Sequence, residues 1–478
     1  MLRIFVALIV MCTAVLANTK MDSSPTFTQK MPKINYRERT LPNGLKVYTL
    51  EDHSSPTVSI QVWYHVGSKD DPNGRSGFAH LFEHMMFKST KNMKAEMMDR
   101  LTEDVGGFNN AFTADDVTVY FDVVPSNYLE TLLWAEADRL GSLNIDDANF
   151  KSERDVVKEE YRETYMSRPY GKLELLIQQK SFTKHPYRRP GIGNIEELNA
   201  ATLTDVKSFH QTFYRPDNAT LVVAGDFDQK QLDAWVDKYF GRIPKANAPL
   251  PRVNVKEPER TKEARYVEYG EHEPLPAVAI SYLAPPQASD DAFALRVAGA
   301  ILAAGESSRL YQSLIYRQQL ASQVDAETDF REDTSLFLLR ATMASGKTAE
   351  EGEKALLAEL KRLQTETVSA AELEKAKNQV ITERLKARET SNGKAFALGE
   401  AAVLLGDANR VNTDNERLMA VTAQDVQRVM KKYFTGTNRV VIYFLPRNPQ
   451  PDGEMKMSKN EWGAGGNSAP TVQAEGGR

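Results

Sequence analysis

A set of residues near position 202 returns 220 positions later, which limits the chain to folds built from two similar halves. Thr202, Asp205, Val206 and Asn218 are answered by Thr422, Asp425, Val426 and Asn438, and the aromatic pair Phe213-Tyr214 by Tyr433-Phe434. In each copy a helix with an apolar stripe leads through this aromatic end and a turn into a strand, at 219–224 and at 439–445. Matching spacings over that length predict a duplicated domain of roughly 200 residues. The Pro-rich stretch from Pro244 to Pro258 is a natural linker between the copies. With 478 residues the chain is also too long for one small core.

Each copy mixes strands and helices. In the first, Asn43-Gly44 marks a turn before strands at 45–51 and 57–66. Asp71-Pro72-Asn73-Gly74 then breaks the chain ahead of a helix that Ser76 is placed to cap. A strand at 117–124 and helices at 127–140 and 147–165 follow. In the second copy a strand at 277–283 is expected to pair with one at 265–269, with helices at 291–303 and 370–387. Strands followed by runs of helices predict an α+β class. The expected architecture is two homologous domains, 34–247 and 258–446, each a mainly antiparallel sheet with helices packed on one face.

Composition excludes little: 41% hydrophobic, 26% charged and a net charge of −5 describe a soluble globular protein without the basic excess of a nucleic-acid binder. The N-terminus is more informative. Arg3, the apolar run 4–16 and Val15-Leu16-Ala17 read as a secretory signal peptide, residues 1–17. At about 14 residues the run is short for a membrane span, so no stable anchor is expected. Cys12, the only cysteine, lies inside this segment, and Met11 before it is not the small residue that lipidation wants. The mature chain would then be free of disulfides and thiolate ligands, so that any metal site must use His, Asp and Glu. A Gram-negative periplasm fits such an exported, cysteine-free chain. Residues 447–478, with Gly463-Ala464-Gly465-Gly466-Asn467, read as a disordered tail. Asn218-Ala219-Thr220 is a glycosylation sequon that matters only in a eukaryotic secretory pathway.

The chemistry is concentrated in His80-Leu81-Phe82-Glu83-His84, in a chain with seven histidines. A chance H-x-x-E-H is expected only ~0.01 times in such a chain. On a helix these three polar side chains share one face. Two neutral imidazoles one turn apart can grip one zinc ion, and the carboxylate between them is placed to deprotonate water. The alternative, a solvated turn with a stray histidine pair, fits poorly. Phe78, Leu81, Phe82 and Met85 form a second stripe, so the helix is expected to be buried and its polar groups to need partners.

Catalytic zinc usually has three protein ligands. In the helix 147–165, Glu153, Val156, Val157 and Glu160 fall at i, i+3, i+4 and i+7, the stripe expected to face the core. Glu160 is therefore a candidate third ligand, although acidic residues on helices are usually solvated.

Together these segments resemble the pitrilysin/insulinase family of zinc peptidases. H-x-x-E-H is its inverted zinc motif. Glu153-Arg154-Asp155-Val156-Val157-Lys158-Glu159-Glu160 is similar to the family's E-R-x-V-x-x-x-E helix, and Glu160 stands 76 positions after His84, as in the family. Gly106-Gly107-Phe108-Asn109-Asn110-Ala111-Phe112-Thr113 resembles its G-G-x-x-N-A-x-T strand. The resemblance spans about residues 36–445 and points to the smaller two-domain members, whose subunits pair to close a chamber. It implies that His80, His84 and Glu160 bind one zinc ion per chain, that Glu83 is the general base, and that Glu153 supports the site. It also implies that Asn110 and Ala111 lie on the strand that receives the peptide substrate.

One segment departs from the pattern. Members that complete their own site carry L-R-E-K-x-G-L-A-Y in the second domain, where its arginine and tyrosine contact substrate. Here it reads Leu314-Ile315-Tyr316-Arg317-Gln318-Gln319-Leu320-Ala321-Ser322, with Ile315 for the arginine and Ser322 for the tyrosine. The resemblance therefore implies the zinc subunit of a heterodimer whose related partner supplies the Arg/Tyr pair. The expected activity is hydrolysis of peptides or unfolded polypeptides. A dedicated precursor-processing peptidase and a non-catalytic assembly or peptide-binding subunit are the alternatives.

Overall fold

Two sheets with one wiring plan organise the chain. The computed structural model describes residues 31–447; the expected signal peptide, the cysteine and all but the first residue of the expected tail lie outside the described residues. Strands β1 (Arg37–Thr40), β2 (Lys46–Glu51), β3 (Thr57–Tyr64), β4 (Phe108–Thr113), β5 (Thr118–Pro125) and β6 (Ala219–Gly225) form a sheet in the order β1-β2-β6-β3-β5-β4. Strands β7 (Ala264–Gly270), β8 (Ala277–Ala284), β9 (Ala321–Asp329), β10 (Ser335–Met343) and β11 (Arg439–Pro446) follow the order β7-β11-β8-β10-β9. Each sheet is antiparallel except for one parallel pair, β2 with β6 and β7 with β11. The α+β class with two matching halves holds.

The repeated residues are those that make the helix-to-strand connection. Thr202 and Thr422 cap the helices Leu203–Phe213 and Ala423–Tyr433, and Asp205 and Asp425 return the bond in matching capping boxes. Asn218 Nδ2 donates to Phe213 O at 2.8 Å, and Asn438 Nδ2 donates to Tyr433 O at 2.8 Å. Asn218 is buried in this role, so the sequon does not present its amide at the surface.

One expected pairing is wrong. Strand β8 pairs with β10 and β11, not with β7, because β11 is inserted between them. The reason lies in burial. Val440, Val441, Ile442 and Phe444 of β11 are buried, whereas β7 alternates half-buried and exposed positions, suiting an edge.

Each half also lends a helix to the other. The helix Ser391–Val403 lies across the first sheet, placing Ala395, Leu398, Ala401 and Ala402 against Tyr48, Leu50, Trp63 and Val222. Gly399 permits this contact: a Cβ there would sit 2.3 Å from Trp63 Cε2. Asn392 at the same surface accepts bonds from Ser59 and Gln61. Reciprocally, Leu173, Leu176 and Ile177 of the helix Gly171–Ser181 pack on Ala277, Leu338 and Ile442 of the second sheet. The exchange buries the sheet faces that each half's own helices leave open, and area removed from water contributes about 25 cal/mol per Å².

The tip of the β9–β10 hairpin adds an ionic lock between the halves. Arg331 is buried, reaches Asp115 at 3.1 Å and stacks near the Tyr187 ring. Lys69 lies 2.8 Å from Asp116 and 2.6 Å from Glu332, and His65 is 3.0 Å from Glu332. Burial alone would raise the Glu332 carboxyl, but His65 and Lys69 hold it at about 2 against an ordinary 4.5. Because the folded value is depressed, this stabilisation is complete above about 4.5 and is lost as pH falls towards about 2. Urea unfolding of Glu332→Gln is therefore expected to show lower stability than wild type at neutral pH and a flatter decline across that acid window. Parallel profiles for the two proteins would contradict this.

Candidate active site

The histidine helix, Phe78–Met85, begins at Gly77, whose φ of 91° is open to glycine. Ser76 is not its cap. Asp71 takes that role from across the break: its carboxylate accepts the Gly77 N–H at 2.6 Å and the Ala79 N–H at 2.8 Å. Negative charge at a helix start is favoured by the exposed amides. Burial nevertheless raises the Asp71 carboxyl to about 7. Phe78, Ala79, Leu81, Phe82 and Met85 are buried in the first core, which turns His80, Glu83 and His84 to the opposite face.

The second acidic helix, Asp147–Tyr161, is capped by Asp146 and lies against the histidine helix. It stops at Tyr161 and continues as a π-helical turn, Arg162–Ser167, rather than as α-helix to 165. Glu153 and Val157 face inward as the periodicity predicts, but Val156 is 46% exposed. It sits on the flank of the stripe, beyond the narrow contact between the two helices.

That contact brings three predicted residues together. The donor atoms of His80, His84 and Glu160 lie within 4.8 Å of one another. Glu160 Oε2 stands 3.6 Å from His80 Nε2 and 3.3 Å from His84 Nε2. Two donors each about 2.0–2.1 Å from a tetrahedral zinc stand about 3.4 Å apart, so the spacing and the N/N/O donor set fit that ion. Glu153 Oε2 is 3.6 Å from the other nitrogen of His84, and Lys88 holds Glu153 Oε1 at 2.9 Å. An acceptor in that place orients an imidazole.

The charges divide unevenly between the imidazoles. Burial, reinforced by His84, lowers His80 to about 4, so it is neutral at pH 7. Burial would lower His84 as well, but Glu153 and Glu160 raise it to about 9. Glu160 is held low by its bond to His84. Glu83 is raised by burial, opposed by the hydroxyl of Thr113, which donates to Glu83 Oε2 at 2.7 Å.

Thr113 stands in the strand motif with no role assigned to it, Asp71 is legible only as part of the break before the histidine helix, and nothing in the sequence marks Lys88. Thr113 lies on β4, which among the described residues is at the edge of the first sheet and pairs with β5. Gly107 leads the chain into this strand so closely that a Cβ there would meet Val123 O at 2.2 Å. Along β4, Asn109, Ala111 and Thr113 are half-buried on the face that carries the Glu83 contact, while Phe108, Asn110 and Phe112 are exposed on the other. Ala111 therefore shares Thr113's face and Asn110 the opposite one, where its Oδ1 accepts the Ala111 N–H at 2.8 Å.

In the second half the segment 314–322 offers no equivalent of an Arg/Tyr pair. Ile315 packs against the second core, and the exposed Ser322 hydroxyl donates to Thr342 O at 3.3 Å. Arg317 Nε is engaged by its own Gln312 O at 3.0 Å. Gln319 adopts a φ of 51°, at the position where the family pattern has glycine.

Comparison with known proteins agrees in both halves. Residues 46–193 match the model described as insulinase (peptidase family M16), and residues 200–380 match the one described as the peptidase M16 inactive domain. The zinc protease PqqE of Helicobacter pylori is 31% identical over 409 residues, 85% of this chain and 92% of that protein. A probable mitochondrial-processing peptidase subunit beta of Arabidopsis thaliana is 25% identical over 436 residues, 89% of this chain and 81% of that protein. The crystal structure of a protease from Helicobacter pylori has a TM-score of 0.83 at 30% identity, covering 86% of this chain and 99% of that one.

Proposed function

The chain belongs to the insulinase, or M16, family of peptidases, and from that premise we propose that it is the zinc-holding, peptide-cleaving subunit of an exported endopeptidase. The observation that carries this reading is the convergence of His80, His84 and Glu160 beside Glu83. His80, His84 and Glu160 hold the zinc, Glu153 orients His84, and the units 34–247 and 258–446 act as catalytic and supporting domains. Zinc, when bound, supplies a Lewis acid that polarises the scissile carbonyl and acidifies water.

The protein's own groups do the rest. Thr113 occupies Glu83 Oε2 and leaves Oε1 to take a proton from the attacking water. Glu83 then returns that proton to the nitrogen of the leaving amine. The open edge of β4 receives the peptide as an added strand, held by backbone bonds that tolerate many sequences. Pairing with a related subunit encloses the substrate and brings the missing Arg/Tyr pair. Export rests on the N-terminal signal; among the described residues no helix is long and apolar enough to cross a membrane. The missing pair also favours a second reading, a non-catalytic peptide-binding subunit.

Zinc titration tests the metal site without reference to catalysis. Wild type is expected to take one zinc per chain. Glu160→Gln is expected to lose more affinity than the ~10–100-fold typical of removing a group that merely orients a ligand. Equal zinc affinity in the two proteins would remove Glu160 from the site.

A further inference from the structure

Away from the histidine helix, arginines gather where the second half meets the helix it lends to the first. A cavity of about 30 Å³ lies among the helices Asp291–Ala303, Ala370–Lys386, Ser391–Val403 and Arg410–Met419. Arg296, Arg384, Arg388 and Arg410 line it, with Glu400 and Asp414 as its carboxylates. Glu383, on the same helix as Arg384, adds a third carboxylate near Arg296, so four guanidinium groups face three carboxylates. Arg410 is paired with Asp414 at 3.0 Å, and the exposed Glu400 accepts from Gln287 at 2.5 Å. Among the described residues Arg296, Arg384 and Arg388 form no ion pair. Arg296 has only the face of Phe330, 4.5 Å away, and Arg388 the carbonyl of Val411 at 2.8 Å.

Guanidinium groups held together and partly desolvated repel one another, and their fixed fork of donors suits an oxyanion. Burial and the nearby Arg384 lower both Arg296 and Arg388, the latter to about 10. We propose that this cavity is a binding site for a small multiply charged oxyanion of the phosphate type. A cavity of this size excludes a peptide and holds at most one small ion. The bound anion bridges helices of the second half to Ser391–Val403, the helix that roofs the first sheet.

The test is a titration of the full chain with sodium phosphate against sodium chloride at matched ionic strength, followed by Tm. Wild type is expected to gain stability with a saturable phosphate dependence. Arg296→Gln and Arg384→Gln are each expected to weaken the apparent affinity at least about tenfold, as loss of one charge-assisted bond does. Arg317→Gln, a surface control, is expected to leave it unchanged. Arg384 is half-buried, so its variant keeps the test valid if Arg296→Gln does not fold. No saturable effect in wild type, or an effect that both cavity variants retain, overturns the proposal.

Discussion

Glu83→Gln is expected to lower kcat on a quenched peptide by roughly 10²–10⁴-fold, the usual worth of a positioned general base, while zinc content stays at one per chain. The amide is nearly isosteric and can still accept from Thr113, so the fold and the three proposed metal donors are left in place. What disappears is a basic oxygen in a half-buried site. Burial raises this carboxyl above its ordinary value, which makes it a better proton acceptor than an exposed glutamate. Zinc content separates the two ways of failing: a variant that loses metal reports on the site's assembly, whereas one that keeps zinc reports on the proton transfer. Wild-type cleavage by a zinc-loaded variant would eliminate Glu83 as the base and favour the non-catalytic reading.

The second large effect is expected from the partner. Adding a related subunit that carries the Arg/Tyr pair should raise kcat/KM by roughly 10²–10³-fold over the chain alone, the cost typically measured for one missing oxyanion donor. The local geometry supports this. Ile315 is apolar and packed, Ser322 already donates to the backbone, and Arg317 is tied to its own turn. None of them reproduces the arginine and tyrosine donors at the two positions of the family's segment. A chain that reaches full activity as a homodimer would sink the idea, as would a mixture no more active than the sum of its parts.

Much of this was legible in advance because it is local. The i, i+3, i+4 spacing fixes His80, Glu83 and His84 on one helix face whatever surrounds them. The repeated Thr and Asp residues are helix caps, which act within three residues of themselves, and each repeated Asn bonds the helix end just before it, although Asn438 also donates to Leu283 O in a distant strand. Ser76 and Asp71 show where local reasoning stops: both stand before the same helix, and the folded path of the break selects the more distant one. The β7–β8 pairing failed for a similar reason, since adjacency in sequence says nothing about a strand arriving from position 439.

By itself the sequence determined the two-part α+β plan, the imidazole pair with its carboxylate, and the absence of an Arg/Tyr segment, all carried by periodicity and residue type over short spans. Tertiary structure alone decided the geometry that joins them. It set Glu160 against both imidazoles across 76 residues, brought Thr113 to Glu83 from an edge strand, and exchanged a helix between the halves. The physical reason is that hydrogen bonds within a turn of helix depend on neighbours in the chain. The packing that aligns two helices or covers a sheet depends on the burial of surfaces whose partners lie far away in sequence.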